Sequence, residues 1–273
     1  MKFRFTLHSV VTSALILVSA LSHAGSIFLT GHDPDFHASL GSNAVGAQNI
    51  NKAGIGFIMD PAFNLYVAGG ATKFLFVESN IAVPGGHTVG ADGVVASGYS
   101  EGVDFEKHDA TTLNDELNLL GTKYGGIVVA SDFGGILTQD ELDILNARKV
   151  SIITFLNAGG GLYAMAESNS GTHLTPNGGQ FGYLPFVTSG VSLDQNESGF
   201  TVTPFGNSLG LTDNAINGNA SHNFFTSYGG LSVVDRDASG RVMSVAGRVD
   251  VVPEPLSIIA LSLGTLALLR RRR

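Results

Sequence analysis

Four short runs of this chain are apolar at nearly every position: Ser26 to Thr30 (SIFLT), Lys73 to Val77 (KFLFV), Gly126 to Ala130 (GIVVA) and Gly161 to Met165 (GLYAM). Runs of this length without a polar alternation predict strands covered on both faces, as in a central parallel sheet. Between them the period changes. Thr112 and Asp115 open a segment that places Leu113, Leu117 and Leu120 on one helical face, and Gly121 closes it. Thr138-Gln139-Asp140-Glu141 is a capping box in front of a second helix, whose Leu142, Leu145, Ile152 and Leu156 recur at helical spacing before Gly159-Gly160-Gly161. Strand, helix, strand in this order builds a right-handed βαβ unit. After Val191 the pattern weakens into polar, Gly- and Asn-rich sequence. It returns in Leu231 to Asp235 and Val242 to Ala246, which flank the turn Asp237-Ala238-Ser239-Gly240 and predict a terminal hairpin on the sheet.

The two ends follow other rules. Lys2 and Arg4 lead an apolar run from Val10 to Leu21, closed by Ser22-His23-Ala24, with small residues on either side of His23. This is the order of a secretory signal peptide over residues 1–24, cleaved after Ala24; a buried N-terminal helix would not account for the leading charge or the small-residue close. At the other end, Leu256 to Leu269 is free of charge, but at 1.5 Å per residue it spans only ~21 Å of a hydrocarbon core ~30 Å thick. Arg270, Arg271, Arg272 and Arg273 complete it: they stay on the cytoplasmic side and snorkel to the headgroups, which leaves the bulk of the chain outside. Pro253-Glu254-Pro255 keeps the preceding stretch extended and out of a helix.

Composition narrows the function classes. The chain has 273 residues, 44% of them hydrophobic and 36 of them glycine, with a formal charge of −8. Residues 25–253 carry nine Lys and Arg against 22 Asp and Glu, a net of −13, so the middle is more acidic than the whole. Such a surface repels phosphate backbones, and nucleic acid is not an expected partner. The count of cysteines is zero, which removes disulfides, thiolate metal sites and a cysteine nucleophile together. The sequence between the ends, residues 25–250, is expected to form one domain on its packed core alone.

Val252-Pro253-Glu254-Pro255, the short apolar segment and the terminal arginines together resemble the PEP-CTERM sorting signal of Gram-negative bacteria, here over residues 251–273. The resemblance implies export by the Sec machinery, processing by signal peptidase, transient residence in the inner membrane and recognition by an exosortase that cuts near Pro253, Glu254 and Pro255. It implies release to the cell surface or an exopolysaccharide matrix, in a biofilm context. Permanent anchoring is the alternative. The block from Tyr124 to Ser168, with Thr30-Gly31-His32-Asp33 and Gly240-Arg241-Val242, resembles the class I glutamine amidotransferase-like superfamily, nearest its ThuA-like branch. That resemblance implies an α/β fold of the flavodoxin-like kind, a three-layer sandwich around a mostly parallel central sheet.

In catalytic members of that superfamily the nucleophilic cysteine follows the strand that corresponds to Gly161 to Met165. Here the place reads Ala166-Glu167-Ser168, so glutaminase chemistry is excluded. Ser168 is the nearest replacement, but it lacks a Gly-x-Ser-x-Gly frame and an assignable histidine and acid, and a solvated loop serine accounts for it. His32, Asp33, Asp35 and His37 follow the first strand at the edge where open α/β sheets bind ligands. His32, Asp33 and His37 suit a divalent metal such as zinc or manganese, while Asp33-Pro34-Asp35 is also ordinary turn chemistry. Asp132 and Glu167 end the third and fourth strands and are expected on the same edge. His222 either reaches that edge from the late segment or packs a loop, which its HNFF context favours. Residues 171–186 read as a surface loop, with a lid over the pocket as the alternative.

The leading reading is an exported surface protein with a non-catalytic α/β domain without a required cofactor, and the two resemblances imply that it binds carbohydrate of the extracellular matrix. The rival is a metal- or serine-dependent hydrolase of sugars or peptides, using His32, Asp33, Glu167 or Ser168. A purely structural matrix component is the third class.

Overall fold

A computed structural model describes residues 24–79, 90–132, 136–167, 174, 181–193, 195 and 197–249. Residues 1–23, residues 251–273, Ser168 and most of 171–180 lie outside the described residues, so the expectations placed there are not addressed by the fold.

The first half of the domain runs β1 (Gly25–Thr30), α1 (Pro34–His37), α2 (Ala44–Ile58), α3 (Leu65–Ala68), β2 (Lys73–Val77), α4 (Gly90–Ala96), β3 (Phe105–His108), α5 (Leu113–Glu116), β4 (Tyr124–Val129), α6 (Gln139–Ala147), α7 (Lys149–Asn157) and β5 (Gly161–Ala164). The second half is β6 (Thr188–Ser192), β7 (Thr201–Val202), α8 (Pro204–Ser208), α9 (Asp213–Ile216), β8 (Asn223–Tyr228), β9 (Ser232–Arg236) and β10 (Val242–Val249). All ten strands join one sheet, ordered β3-β2-β4-β5-β1-β10-β8-β6, with β9 on β10 and β7 on β9. From β3 to β1 every pairing is parallel; from β1 outward every pairing is antiparallel. The result is a mixed α/β fold with a large central sheet. Counted from β2, the parallel strands take the order 2-1-3-4-5, with β1 in the fifth place, and this is compatible with a flavodoxin-like fold.

The four apolar runs form β1, β2, β4 and β5, and their side chains are buried almost throughout. Helices cover both faces. A Cβ added at Gly161 would meet the backbone oxygen of Ile58 in α2 at 2.3 Å, and one at Gly25 would meet Leu156 in α7 at 2.5 Å. Because Ser26, not Gly25, is paired with Gly161, these two positions point to opposite sides of the sheet. Phe28 and Tyr163 meet edge to face in the core, with ring centroids 5.3 Å apart.

The capping box forms as the sequence predicts: Glu141 accepts from the backbone N–H of Thr138 at 2.9 Å and from its hydroxyl. Its other oxygen accepts from the N–H of Ala110 at 2.9 Å, so one buried carboxylate ties α6 to the loop after β3. Replacing Thr138 by Ala is expected to lower unfolding stability by ~1 kcal/mol, read from urea denaturation. The single helix expected from Leu142 to Leu156 is instead two, because Arg148 leaves the helical region with φ −92° and ψ 10°. Side-chain anchors flank the break: Arg148 donates to Asn118, and Lys149 donates to the carbonyl of Gly182 at 2.7 Å. The expected hairpin forms as β9 and β10, joined to an antiparallel half that the polar sequence after Val191 concealed.

Candidate functional site

The carboxyl ends of β1, β2, β4 and β5 deliver polar side chains to one edge of the sheet. They are His32, Asp33 and Asp35 after β1, Glu78 after β2, Asp132 after β4 and Glu167 after β5. All six are buried, none more than 1% exposed. The lateral neighbours β2 and β4 flank the point at which the strand order reverses, the position where open α/β sheets leave a crevice.

Each carboxylate is held by a different element. Asp35 accepts from the backbone N–H of Ser131 at 2.8 Å and from its hydroxyl at 2.9 Å, bridging α1 to the end of β4. Glu78 accepts from the N–H groups of Gly90 and Ala91 at 2.7 and 2.9 Å, at the start of α4. That helix reaches it because Gly93 presses on Asp35: a Cβ there would stand 1.7 Å from the Asp35 backbone oxygen. Glu167 accepts from the N–H of Phe181 at 2.9 Å, while its own N–H donates to Asn223 of β8 at 3.1 Å. The N–H of Asp132 donates to the carbonyl of Ala166 at 2.9 Å, setting the ends of β4 and β5 side by side.

Asp33 is the centre of the histidines. His222 brings Nε2 to 2.9 Å of one Asp33 oxygen, and His37 brings Nε2 to 3.3 Å of the other. His222 is 1% exposed and reaches Asp33 from the loop before β8, so it meets the edge, the alternative to the loop packing that its HNFF context favoured. His32 turns the other way. Its Nε2 lies 3.0 Å from Asp235 Oδ2 in β9, and its Nδ1 lies 2.9 Å from the Ser221 hydroxyl. The structure therefore joins Asp33 to His37 and His222, and separates His32 from them. The metal set His32, Asp33 and His37 is not assembled as one cluster among the described residues.

Burial dominates the electrostatics. It pushes the carboxyl of Asp35 up to about 7, with Asp33 adding to the rise, and that of Glu78 also to about 7. Glu167 is pushed up to about 8, by burial first and by Asp132 second. Burial opposes the imidazolium of His222, but the contact with Asp33, reinforced by Asp132 and Asp35, raises its pKa above the ordinary 6.5. Near neutral pH the edge thus holds carboxyls that both donate and accept hydrogen bonds, beside an imidazole biased toward its charged form.

Among the described residues, one group has metal-ligand spacing: Glu106, His108 and Glu116, each offering an atom within 4.8 Å of the others. It lies on the outer strand β3 and in α5, and His108 ends β3 beside Glu78, whose N–H donates to the His108 carbonyl at 3.2 Å. Lys123 sits between the two carboxylates, 2.6 Å from Glu106 and 2.9 Å from Glu116, and Lys73 adds a contact of 2.8 Å to Glu106. Hydrogen bonds from Lys123 and Lys73 hold the Glu106 carboxyl down to about 2. A cation entering here would have to displace the Lys123 ammonium.

Sequence reasoning located His32, Asp33, Asp35, Asp132 and Glu167 by one rule, the residue after an apolar strand. The same rule applied to Lys73–Val77 points at Glu78. Ser221 and Asp235 carried no such signal, since Asp235 sits inside an apolar run and Ser221 in a polar stretch. No protein-family model matches the chain, and no curated protein or solved structure matches it at a significant level.

Proposed function

We propose that this chain is an exported cell-surface or matrix protein, sorted by its C-terminal segment through an exosortase, whose domain binds a hydroxyl-rich carbohydrate at the carboxyl edge without transforming it. The domain is read as a flavodoxin-like three-layer sandwich of the amidotransferase-like kind that has lost the nucleophile. The observation that carries the reading is the gathering of Asp33, Asp35, Glu78, Asp132, Glu167 and His222 on the edge from four separate strands and the late segment. Sugar hydroxyls need neighbours that accept and donate, and neutral carboxyls with imidazole and amide groups supply both. The chain has no cysteine, so the position after β5 offers Glu167 in place of a thiolate.

The test is a pull-down on purified exopolysaccharide with the wild-type protein and the apolar variants Asp132→Leu and Glu167→Met, which are close in volume and remove donor and acceptor together. Each variant is expected to bind about tenfold more weakly or worse, as loss of one charged or donor contact implies, with its thermal midpoint within a few degrees of wild type. Undiminished binding by both variants would refute the reading.

One observation favours a hydrolase instead. Ser221, His32 and Asp235 stand in line at hydrogen-bond distance, and such triads are recognised by geometry, not by chain order. Against it, the imidazole gives Nδ1 to the serine and Nε2 to the aspartate, the reverse of the triad, in which Nε2 faces the serine and Nδ1 the acid. The line is read as a buried brace between β1, β9 and the loop before β8. Incubation with a fluorophosphonate is expected to leave Ser221 unlabelled, by mass spectrometry of its peptide. Labelling of Ser221, or a stoichiometric transition metal in the purified protein, would transfer the assignment to the hydrolase.

A further inference from the structure

The register of β1 on β10 fixes where the chain enters and leaves the domain. Gly25 is paired with Val249, and Thr30 with Ser244, so the first and last described strands begin and end at the same edge of the sheet. His32 and Asp33 follow Thr30 at the other edge, ~20 Å away along the strand. The starts of β2, β4 and β5 share the edge with Gly25, because these strands run parallel to β1. This edge is the base of the domain, and the candidate ligand edge is its opposite.

The base gathers aromatic rings around an arginine that Asp60 also faces. The Arg248 guanidinium lies 3.2 Å from the centroid of the Phe63 ring and 5.3 Å from that of Phe57. Phe63 and Leu65 are each 44% exposed, and Val187 at the foot of β6 is 77% exposed. A cleft of about 200 Å³ beside the exit point is lined by Pro185, Phe186, Leu231, Arg248 and Val249. Exposed apolar side chains around an arginine match the headgroup zone of a bilayer, where a cation meets phosphate and its stem and neighbours meet acyl chains. The linker 250–255 between Val249 and the apolar run from Leu256 reaches at most ~20 Å when fully extended. The base is therefore the part of the domain that the tail holds against the membrane.

We infer that the base formed by Phe63, Leu65, Val187 and Arg248 docks on the phospholipid surface while the tail is inserted, and that the carboxyl edge is thereby presented away from the membrane. The inference rests on the tail reading in the proposed function and adds the orientation. The net charge of −13 over residues 25–253 makes a zwitterionic surface the expected partner, since a strongly anionic one repels the domain as a whole.

The absence of native cysteine makes the test clean. The full chain is reconstituted in phosphatidylcholine vesicles containing a headgroup nitroxide lipid, with one fluorophore on Ala62→Cys at the base or on Leu40→Cys beside the ligand edge, both exposed positions. Flotation is measured first; a chain that stays in the soluble fraction overturns the tail reading, and the inference falls with it. For the floated protein, the label at 62 is expected to be quenched at least twofold more than the label at 40. Adding Phe63→Ser and Arg248→Ser is expected to remove most of that difference. Equal quenching at both positions, or quenching at 62 indifferent to the added substitutions, overturns the docking. So does protection of the label at 62 in detergent that grows with protein concentration, which would assign the base to a second copy of the chain.

Discussion

Raising the pH from 5 to 8 lowers the thermal midpoint of the folded domain by on the order of 10 °C. Asp35, Glu78 and Glu167 have ordinary values near 3.8, 4.5 and 4.5 and folded values of about 7, 7 and 8. A carboxyl whose pKa is raised on folding holds its proton more tightly in the native state, so between its unfolded and folded values the native state binds more protons and stability falls as pH rises. His222 acts in the same direction: its raised pKa stabilises the fold below about 6.5, and that contribution is lost as pH rises through the folded value. Glu106, held down to about 2, contributes stability that is constant above the ordinary carboxylate range and is lost only as pH falls toward 2, so it does not enter this window. One pKa unit is ~1.4 kcal/mol. Because the groups are coupled, the loss is on the order of 5 kcal/mol, not the sum of separate shifts, which for a domain of this size moves the midpoint by 10 to 20 °C in order of magnitude. Differential scanning calorimetry at pH 5, 6.5 and 8 measures it. A midpoint that is flat or rises across this range would show that these carboxyls are solvated and that the edge is not the buried site described.

Substituting Gly31 by Ala is expected to cost on the order of 4 kcal/mol and to leave a partly unfolded protein at room temperature. A Cβ at Gly31 would stand 1.8 Å from the backbone oxygen of Asn223, and backbone on both sides prevents relief. The N–H of Gly31 donates to Met243 at 2.7 Å, and its carbonyl accepts from His222 at 2.7 Å. Making room means parting β1 from β8, which draws His222 off Asp33 and Ser221 off His32, so packing and site fail together. Gly56→Ala is the matched control: nothing lies within 4 Å of its Cβ, and in the exposed interior of α2 the change is expected to be neutral or stabilising by up to ~1 kcal/mol. Urea denaturation of the two variants checks both. A cost below 1 kcal/mol for Gly31→Ala would contradict the close approach of the two backbones.

The half of the fold that was legible in the sequence is the half built from parallel strands. A strand covered on both faces has no polar position to spare, so SIFLT, KFLFV, GIVVA and GLYAM stand out and their ends point to Asp33, Asp132 and Glu167. The outer strands gave no such signal. β3 reads FEKH because it lies at the sheet edge and spends Glu106 and Lys107 on solvent and salt bridges. β6 and β8 cover each other with Ser, Thr and Asn, leaving Val191 48% exposed. Helix α2 was hidden by Gly46, Gly54 and Gly56, which weaken helix propensity. Two of them are there for contact: a Cβ at Gly54 would strike the Tyr163 ring at 2.9 Å, and one at Gly46 the Ala215 carbonyl at 2.3 Å. The partners of the site histidines could not be read from sequence at all, because His32 with Asp235 and Asp33 with His222 are brought together only by the antiparallel half crossing back over β1.

The central claim is that the carboxyl edge receives a hydroxyl-rich ligand. A crystal structure of the protein soaked with a purified exopolysaccharide fragment tests it most directly. The account predicts sugar hydroxyls within hydrogen-bond distance of Asp132 or Glu167, at the ends of β4 and β5. A saccharide seated instead in the cleft of Lys52, Phe57 and Arg248 at the opposite edge, or no bound saccharide at saturating concentration, would contradict it.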